Sequence, residues 1–200
     1  MSAQAAPVLV LACGALAREI QQLKLLNGWE HLKLKCLEAD LHNRPERIPM
    51  RIRAEIQRYR EQYAQIFVAY ADCGTGGLLD RVLEEEGVER LPGAHCYAFF
   101  AGQQPFAELA EAELGSFYLT DFLARHFERL VIKGMQLDKH PELLPMYFNH
   151  YTRLVYLAQT SNPDLLAKAQ AAAEYLQLEF KLVPTGYGEL ATELARIAQR

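Results

Sequence analysis

Hydrophobic positions along this chain change their spacing in a regular order. Val8-Leu9-Val10-Leu11-Ala12 is a continuous apolar run behind Pro7, the pattern of a strand buried on both faces of a sheet. After Gly14 the spacing lengthens: Leu16, Ile20 and Leu23 recur at helical intervals until Asn27-Gly28, a helix stop. Leu32, Leu34 and Cys36 then alternate with Lys33 and Lys35, so one face of the second strand is wet and Cys36 is expected among leucines on the core side. Asp40-Leu41-His42-Asn43-Arg44-Pro45 reads as a polar loop, with Asn43 a candidate cap for the next helix. That helix carries Ile48, Ile52, Ile56, Tyr59 and Tyr63 on one stripe. Ile66–Ala71 is a third, very apolar strand; Leu78, Leu79, Val82 and Leu83 form the inward face of a third helix, ended by Gly87. Val88–Leu91 is a short fourth strand.

Strands and helices alternate, which predicts a doubly wound α/β fold with a mostly parallel sheet and helices on both faces. Beyond residue 100 the pattern is less regular. Helices are expected over Pro105–Leu114, Asp121–Leu137 and His140 to about His150, and strands over Ser116–Leu119 and Arg153–Ala158. Asn162-Pro163 opens a helix with proline in its first position, Phe180–Val183 is the last strand, and Glu189–Ala198 the last helix. The C-terminal third thus carries its own βαβ unit. It either adds strands to the first sheet or forms a second lobe. No linker rich in Gly, Ser or Pro separates the halves, so residues 1–200 read as one domain, with lobes of about 1–115 and 116–200 as the alternative.

Size and charge narrow the class. A 200-residue chain buries roughly 70% of its unfolded surface in one domain and needs no covalent staple. The net charge of −4 argues against non-specific nucleic-acid binding. The arginines Arg44, Arg47, Arg51, Arg53, Arg58 and Arg60 are interleaved with Glu46, Glu55 and Glu61 and read as a solvated helix face. The first residues lack a basic region, the run Pro7–Ala12 is too short for a signal peptide, and no segment approaches the ~20 apolar residues of a membrane helix. The expected setting is the cytoplasm, where four cysteines stay reduced and serve as free, metal-binding or reactive thiols.

Those cysteines carry the candidate chemistry. Cys13 and Cys73 each end a hydrophobic run and precede a glycine, and Cys96 follows a short third run in Ala94-His95-Cys96. In an open parallel sheet, ligands bind at the carboxyl ends of the strands. Cys13, Cys73 and Cys96 are therefore expected to converge there, with His42 from the loop after the second strand and His95 beside Cys96. Thiolates and imidazoles are the ligands of a soft divalent metal such as zinc or iron. An iron–sulfur cluster would need Cys36 as a fourth thiolate. A second reading makes Cys13 or Cys73 a thiolate nucleophile at a helix start, with His42 or His95 as base and Asp72 orienting it. In that reading Gly74, Thr75, Gly76 and Gly77 seat an anionic substrate on backbone N–H groups; this loop matches neither a Walker nor a dinucleotide fingerprint. Tyr97, Phe99, Phe100 and Phe106 read as core.

Several segments in order, Leu11-Ala12-Cys13-Gly14-Ala15-Leu16, Leu41-His42-Asn43-Arg44-Pro45-Glu46, Tyr70-Ala71-Asp72-Cys73-Gly74-Thr75-Gly76, Cys96-Tyr97-Ala98-Phe99-Phe100-Ala101-Gly102, Phe117-Tyr118-Leu119-Thr120 and Asn149-His150-Tyr151-Thr152-Arg153, resemble a bacterial and archaeal family known as domain of unknown function 1638. The resemblance covers nearly the whole chain and matches Cys13, His42, Cys73 and Cys96. Family members commonly read Ala-His-Asp-Cys before the third thiol; here Gly93-Ala94-His95-Cys96 puts alanine where the family has histidine, and His95 stands one position later. Genes of the family often neighbour corrinoid-dependent methyltransferases and their reductive activators. The resemblance therefore implies a metal- or metallocofactor-binding protein that assists corrinoid-linked one-carbon metabolism, with a corrinoid protein or methyltransferase as partner. A metal-free cysteine enzyme and a non-catalytic protein that docks on a methyltransferase system are the alternatives.

Overall fold

The computed structural model describes residues 6–112 and 114–199. Met1 to Ala5, Arg200 and Glu113, which falls in the expected helix Pro105–Leu114, lie outside the described residues. The chain divides into two units. The first comprises the residues up to Phe99 together with those from Tyr187 onward; the second is Phe100–Gly186.

In the first unit, β1 (Val8–Cys13), β2 (Leu32–Leu37), β3 (Gln65–Ala69) and β4 (Glu89–Arg90) form one parallel sheet in the order β2-β1-β3-β4. Every residue of the central strand β1 is buried, which accounts for its unbroken apolar run. The edge strand β2 is buried only at its two ends, Leu32 and Leu37, which accounts for its lysines. The intervening helices are α1 (Ala17–Asn27), α2 (Ile48–Tyr59) and α3 (Leu78–Glu86). Gly28 and Gly87 end α1 and α3 in the left-handed conformation, at φ 64° and 65°, where a side chain would be strained. Ile20, Ile48, Ile52, Ile56 and Leu79 are fully buried beneath these helices. Leu78, expected to face inward, is exposed.

The arginine-rich face of α2 is a packing surface rather than a free cationic patch. Arg53 pairs with Glu85 and Glu86 of α3, Arg60 reaches the Glu86 carboxylate at 2.6 Å, and Arg51 pairs with Glu38 at 3.5 Å. The cap expected from Asn43 is not used. The stretch before α2 runs through two 3-10 turns, Ala39–Asn43 and Pro45–Arg47, and no side chain caps either of them or α2. The last helix, α9 (Gly188–Ala198), belongs to this unit and packs beside α1. His31 Nε2 lies 3.0 Å from the Ala198 carbonyl, and Arg196 reaches Glu89 at 3.0 Å.

The C-terminal strands do not extend the first sheet. They form their own parallel sheet, β5 (Ser116–Leu119), β6 (Arg153–Ala158) and β7 (Glu179–Pro184), with β6 in the middle. Two helices precede it: α4 (Cys96–Ala101), in which the boundary between units falls, and α5 (Gln103–Ala112). The helix expected over Asp121–Leu137 is shorter. Regular helix α6 covers Asp121–Phe127; the chain then winds into a π turn at Glu128–Lys133, where the bonds reach one residue further. The segment expected as a helix to His150 holds a 3-10 turn, Pro141–Leu143, and α7 (Leu144–Phe148). The helix α8 (Pro163–Leu176) starts as expected, its first N–H groups taken by Asn162 Oδ1, which accepts from Asp164 at 2.9 Å and Leu165 at 3.2 Å.

A buried carboxylate ties the second unit together. Asp121 is 1% exposed. It accepts from the Tyr156 hydroxyl at 2.7 Å, the Gln159 backbone N–H at 3.0 Å and the Thr160 hydroxyl at 2.5 Å, while its own N–H donates to Gln159 Oε1 at 2.7 Å. These bonds join the start of α6 to the carboxyl end of β6. Replacing Asp121 by Ala leaves two buried donors, the Tyr156 hydroxyl and the Gln159 N–H, without an acceptor, each costing about 1–3 kcal/mol when unsatisfied, while the exposed Thr160 hydroxyl turns to water. Asp121→Ala should therefore destabilise the protein by about 2 kcal/mol or more in denaturant titration; a loss below about 1 kcal/mol would show that water satisfies the orphaned groups.

Candidate functional site

The strand order sets the geometry of the first unit. Because β1 lies between β2 and β3, its last residue, Cys13, stands beside Leu37 at the end of β2, and Ala12 beside Ala69 at the end of β3. Tyr70, Ala71, Asp72 and Cys73 follow directly. The backbone of this segment is held by the loop before α4: Asp72 N–H donates to the Gly93 carbonyl at 3.1 Å and Cys73 N–H to the Ala94 carbonyl at 3.0 Å. Cys96 begins α4 two residues after that contact. Three cysteines distant in sequence are thereby brought to one edge of one sheet.

Each thiol has a defined local frame. Cys13 is buried, and its Sγ accepts from Ala15 N–H at 3.3 Å as the chain turns into a single 3-10 turn at Gly14–Leu16. Gly14 is required here: a Cβ at this position would stand 2.9 Å from the Leu37 carbonyl oxygen. Cys73 adopts φ 52°, a left-handed conformation uncommon for a residue other than glycine. Cys36, expected in the core, is only half-buried on the edge strand, and its charge is felt at Cys13. Cys13, Cys73 and Cys96 likewise feel one another. The structure thus brings Cys36 into the neighbourhood of the site, although its alternation with lysines pointed elsewhere.

His42 lies on the 3-10 turn Ala39–Asn43. Its Nδ1 is 3.1 Å from the Ala39 carbonyl and 3.7 Å from Cys13 Sγ. A carbonyl only accepts, so in the neutral ring Nδ1 carries the hydrogen and Nε2 holds the lone pair. The nitrogen facing Cys13 is therefore a donor, and this tautomer is the wrong one for a base that takes the Cys13 proton. Metal-binding histidines are commonly fixed by such a backbone carbonyl. The imidazole also stacks on Tyr70, with centroids 6.1 Å apart and planes 12° from parallel. His95, in contrast, is exposed; its carbonyl accepts from Ala98 N–H at 3.2 Å in the first turn of α4.

Asp72 and the glycine loop have a different role from the one their spacing suggested. The Asp72 carboxylate accepts from Thr75 Oγ1 at 2.6 Å, Gly77 N–H at 2.9 Å and Gly76 N–H at 3.1 Å. The N–H groups of Gly76 and Gly77, expected to seat an anion, already hold an anion of the chain itself. Burial opposes ionisation of Asp72, but these three bonds outweigh it and hold its carboxyl below the usual range. Asp72 is spent on its own loop and makes no hydrogen bond to a histidine among the described residues.

The electrostatics of the pocket are those of neutral donors. Burial pushes the Cys13 thiol up to about 12 and Cys73 up to about 11, and raises Cys96 as well. Burial lowers His42. Arg90, whose charge reaches Cys73, is committed elsewhere: to Asp80 at 2.6 and 3.0 Å and to the carbonyls of Leu91 and Gly93. Tyr70 is the residue that sequence reasoning missed. It is 1% exposed and its hydroxyl lies against the Cys13 side chain. The one signal was a tyrosine, with a polar hydroxyl, at the end of an otherwise apolar run. Among the described residues, no three His, Cys, Asp or Glu side chains stand in a group that could hold a metal ion as placed.

Fold and site together define a parallel α/β protein that gathers one buried and two half-buried thiols at the carboxyl edge of its first sheet. Residues 36–194 match the family described as protein of unknown function (DUF1638), and the chain belongs to that family. His42, Cys73 and Cys96 lie inside the matched segment and Cys13 before it. No curated protein matches the chain. No helix among the described residues is long and apolar enough to cross a membrane.

The raised thiols predict a pH dependence. The folded protein holds its Cys13 and Cys73 protons to about pH 12 and 11, whereas the unfolded chain releases them near the ordinary 9.0. The folded state thus binds more protons in that window, and stability falls as pH rises through it. On the acid side, His42 binds its proton more weakly when folded, so stability also falls below about pH 6.5. Melting temperature measured against pH should show a plateau from about pH 7 to 9, and Cys13→Ala should flatten the alkaline limb. An unchanged limb in that variant would contradict the burial of an ionisable thiol at Cys13.

Proposed function

We propose that the first unit binds a soft metal ion, zinc or iron, or a metallocofactor through Cys13, Cys73 and Cys96, with His42 offering Nε2, and that this binding serves corrinoid-linked one-carbon transfer in the cytoplasm. The observation that carries the reading is the convergence of three neutral thiols, Cys13 buried and Cys73 and Cys96 half-buried, with a neutral imidazole whose tautomer a backbone carbonyl fixes. Such a donor set has no positive charge of its own to make it reactive. A cation supplies that charge, and the thiols give up their protons to it. Closing a coordination sphere requires side chains to move from the positions they hold, because no three of them form a metal-ready group as placed. The metal would supply Lewis acidity or redox chemistry; the chain would supply a dry, thiol-lined seat and a place for a corrinoid protein or methyltransferase to dock. The link to one-carbon transfer rests on the family resemblance alone.

The metal-free thiol enzyme is less well supported. A nucleophilic cysteine needs a depressed pKa or an adjacent base. Here the thiols are raised, His42 presents a hydrogen to Cys13, His95 is exposed, and Asp72 occupies the N–H groups that would have held an anionic substrate.

Elemental analysis of untagged protein purified without oxygen tests the proposal. About one equivalent of zinc or iron per chain is expected, falling at least tenfold in Cys73→Ser. Metal far below one equivalent, or unchanged by that substitution, contradicts it. If Cys13→Ala and Cys73→Ala also leave capture of a methyltransferase partner intact, the thiols only pack and the protein acts as a scaffold.

A further inference from the structure

The second unit carries a cleft of its own, at the carboxyl ends of β6 and β7. In open parallel sheets this is the edge at which ligands bind. Tyr156 and Ala158 of β6 stand in register with Leu182 and Pro184 of β7, so the four side chains share one face of the sheet and line the cleft together. Pro163 and Leu166 of α8 close it from the helix side. The cleft measures about 240 Å³. A cavity of about 150 Å³ walled by apolar side chains holds one benzene ring, so this space takes a substituted ring or two fused rings.

The lining is preformed and its chemistry is selective. Asp121 accepts from the hydroxyls of Tyr156 and Thr160, which ties a floor residue and a rim residue to one buried carboxylate. The Tyr156 hydroxyl is thereby spent, and its ring is what remains for a ligand. Leu182 is 42% exposed at the mouth, and a ring seated against it removes apolar surface from water. Thr160, Ser161 and Asn162 supply the polar rim. Asn162 spends its Oδ1 on the N–H groups of Asp164 and Leu165, so the rim's offer to a ligand is the Asn162 amide N–H₂ and the Ser161 hydroxyl. No charged side chain among the described residues lines the cleft. The first N–H groups of α8, which would otherwise draw an anion, are already taken. A charged ligand would lose its hydration here and find no counterion.

We propose that this cleft is a binding site for a small, uncharged heteroaromatic ring. The ring's face lies against Leu166, Leu182 and Tyr156, and its polar edge meets Ser161 and Asn162. Walls that are mostly apolar, with a few polar groups gathered on one side, are the usual make-up of a small-molecule site. Occupancy of the cleft does not depend on the thiols of the first unit.

The test titrates indole into the full-length protein and follows backbone amide shifts by NMR. Saturable binding at about millimolar affinity is expected for a ligand this small, with shifts centred on Ala158, Thr160, Leu166 and Leu182. Leu182→Asn, at a partly exposed position, should keep the wild-type melting temperature and bind indole about tenfold more weakly. Leu114→Asn, at a leucine 84% exposed and outside the cleft, should bind as wild type does. Indole-3-carboxylate, the same ring with a negative charge, should bind at least about tenfold more weakly than indole. Absence of saturable shifts, or shifts centred elsewhere, overturns the site, and wild type decides this without any variant. Undiminished binding by Leu182→Asn overturns the seat against β7. Equal or tighter binding of indole-3-carboxylate overturns the uncharged class.

Discussion

The parallel pairing of β1 with both β2 and β3 is the constraint on which the first unit rests. β1 is the most buried strand, and parallel strands on either side of it end at the same edge of the sheet. Everything chemically interesting in the unit is at that edge: the thiol that ends β1, the tyrosine and thiol that follow β3, the histidine of the turn after β2, and the thiol that opens α4. Gly14 allows the closest approach, since the backbone oxygen of Leu37 fills the space a Cβ would take. The site is thus a consequence of topology, assembled from residues that are remote in sequence.

Burial at this edge decides the chemistry. Desolvation raises the thiols and lowers the imidazole, which removes charge from the pocket, while the nearby charged groups are held by partners of their own. Asp72 is satisfied by Thr75, Gly76 and Gly77, and Arg90 by Asp80. A site of neutral soft donors is suited to accept a cation, and poorly suited to activate a nucleophile. The fixed tautomer of His42 points the same way, because its hydrogen rather than its lone pair faces Cys13.

Much of this fold is legible in the sequence. The shift from continuous to alternating to helical spacing locates all four strands of the first sheet, and β5 and β6 match their expected bounds. The irregular stretches were not legible for a local reason: the π turn at Glu128–Lys133 and the short helix at Leu144–Phe148 carry apolar residues at helical intervals, and that spacing does not tell a regular α-helix from a π turn or from a short helix behind a 3-10 turn. That β5, β6 and β7 form a separate sheet, and that α9 belongs with the first unit, depends on contacts remote in sequence. At the site, strand-end cysteines were visible as a pattern. The use of Asp72 within its own loop, the exposure of His95 and the buried hydroxyl of Tyr70 depend on side-chain directions that spacing does not encode. Cys36 shows the limit of alternation as a guide: on an edge strand, the face that should be buried is only half covered.

X-ray absorption at the metal edge of the loaded protein tests the central claim most directly. The account predicts a first shell with at least two sulfur scatterers at about 2.3 Å and a nitrogen at about 2.0–2.1 Å, with a sulfur lost in Cys73→Ser. A shell of oxygen and nitrogen alone would contradict it.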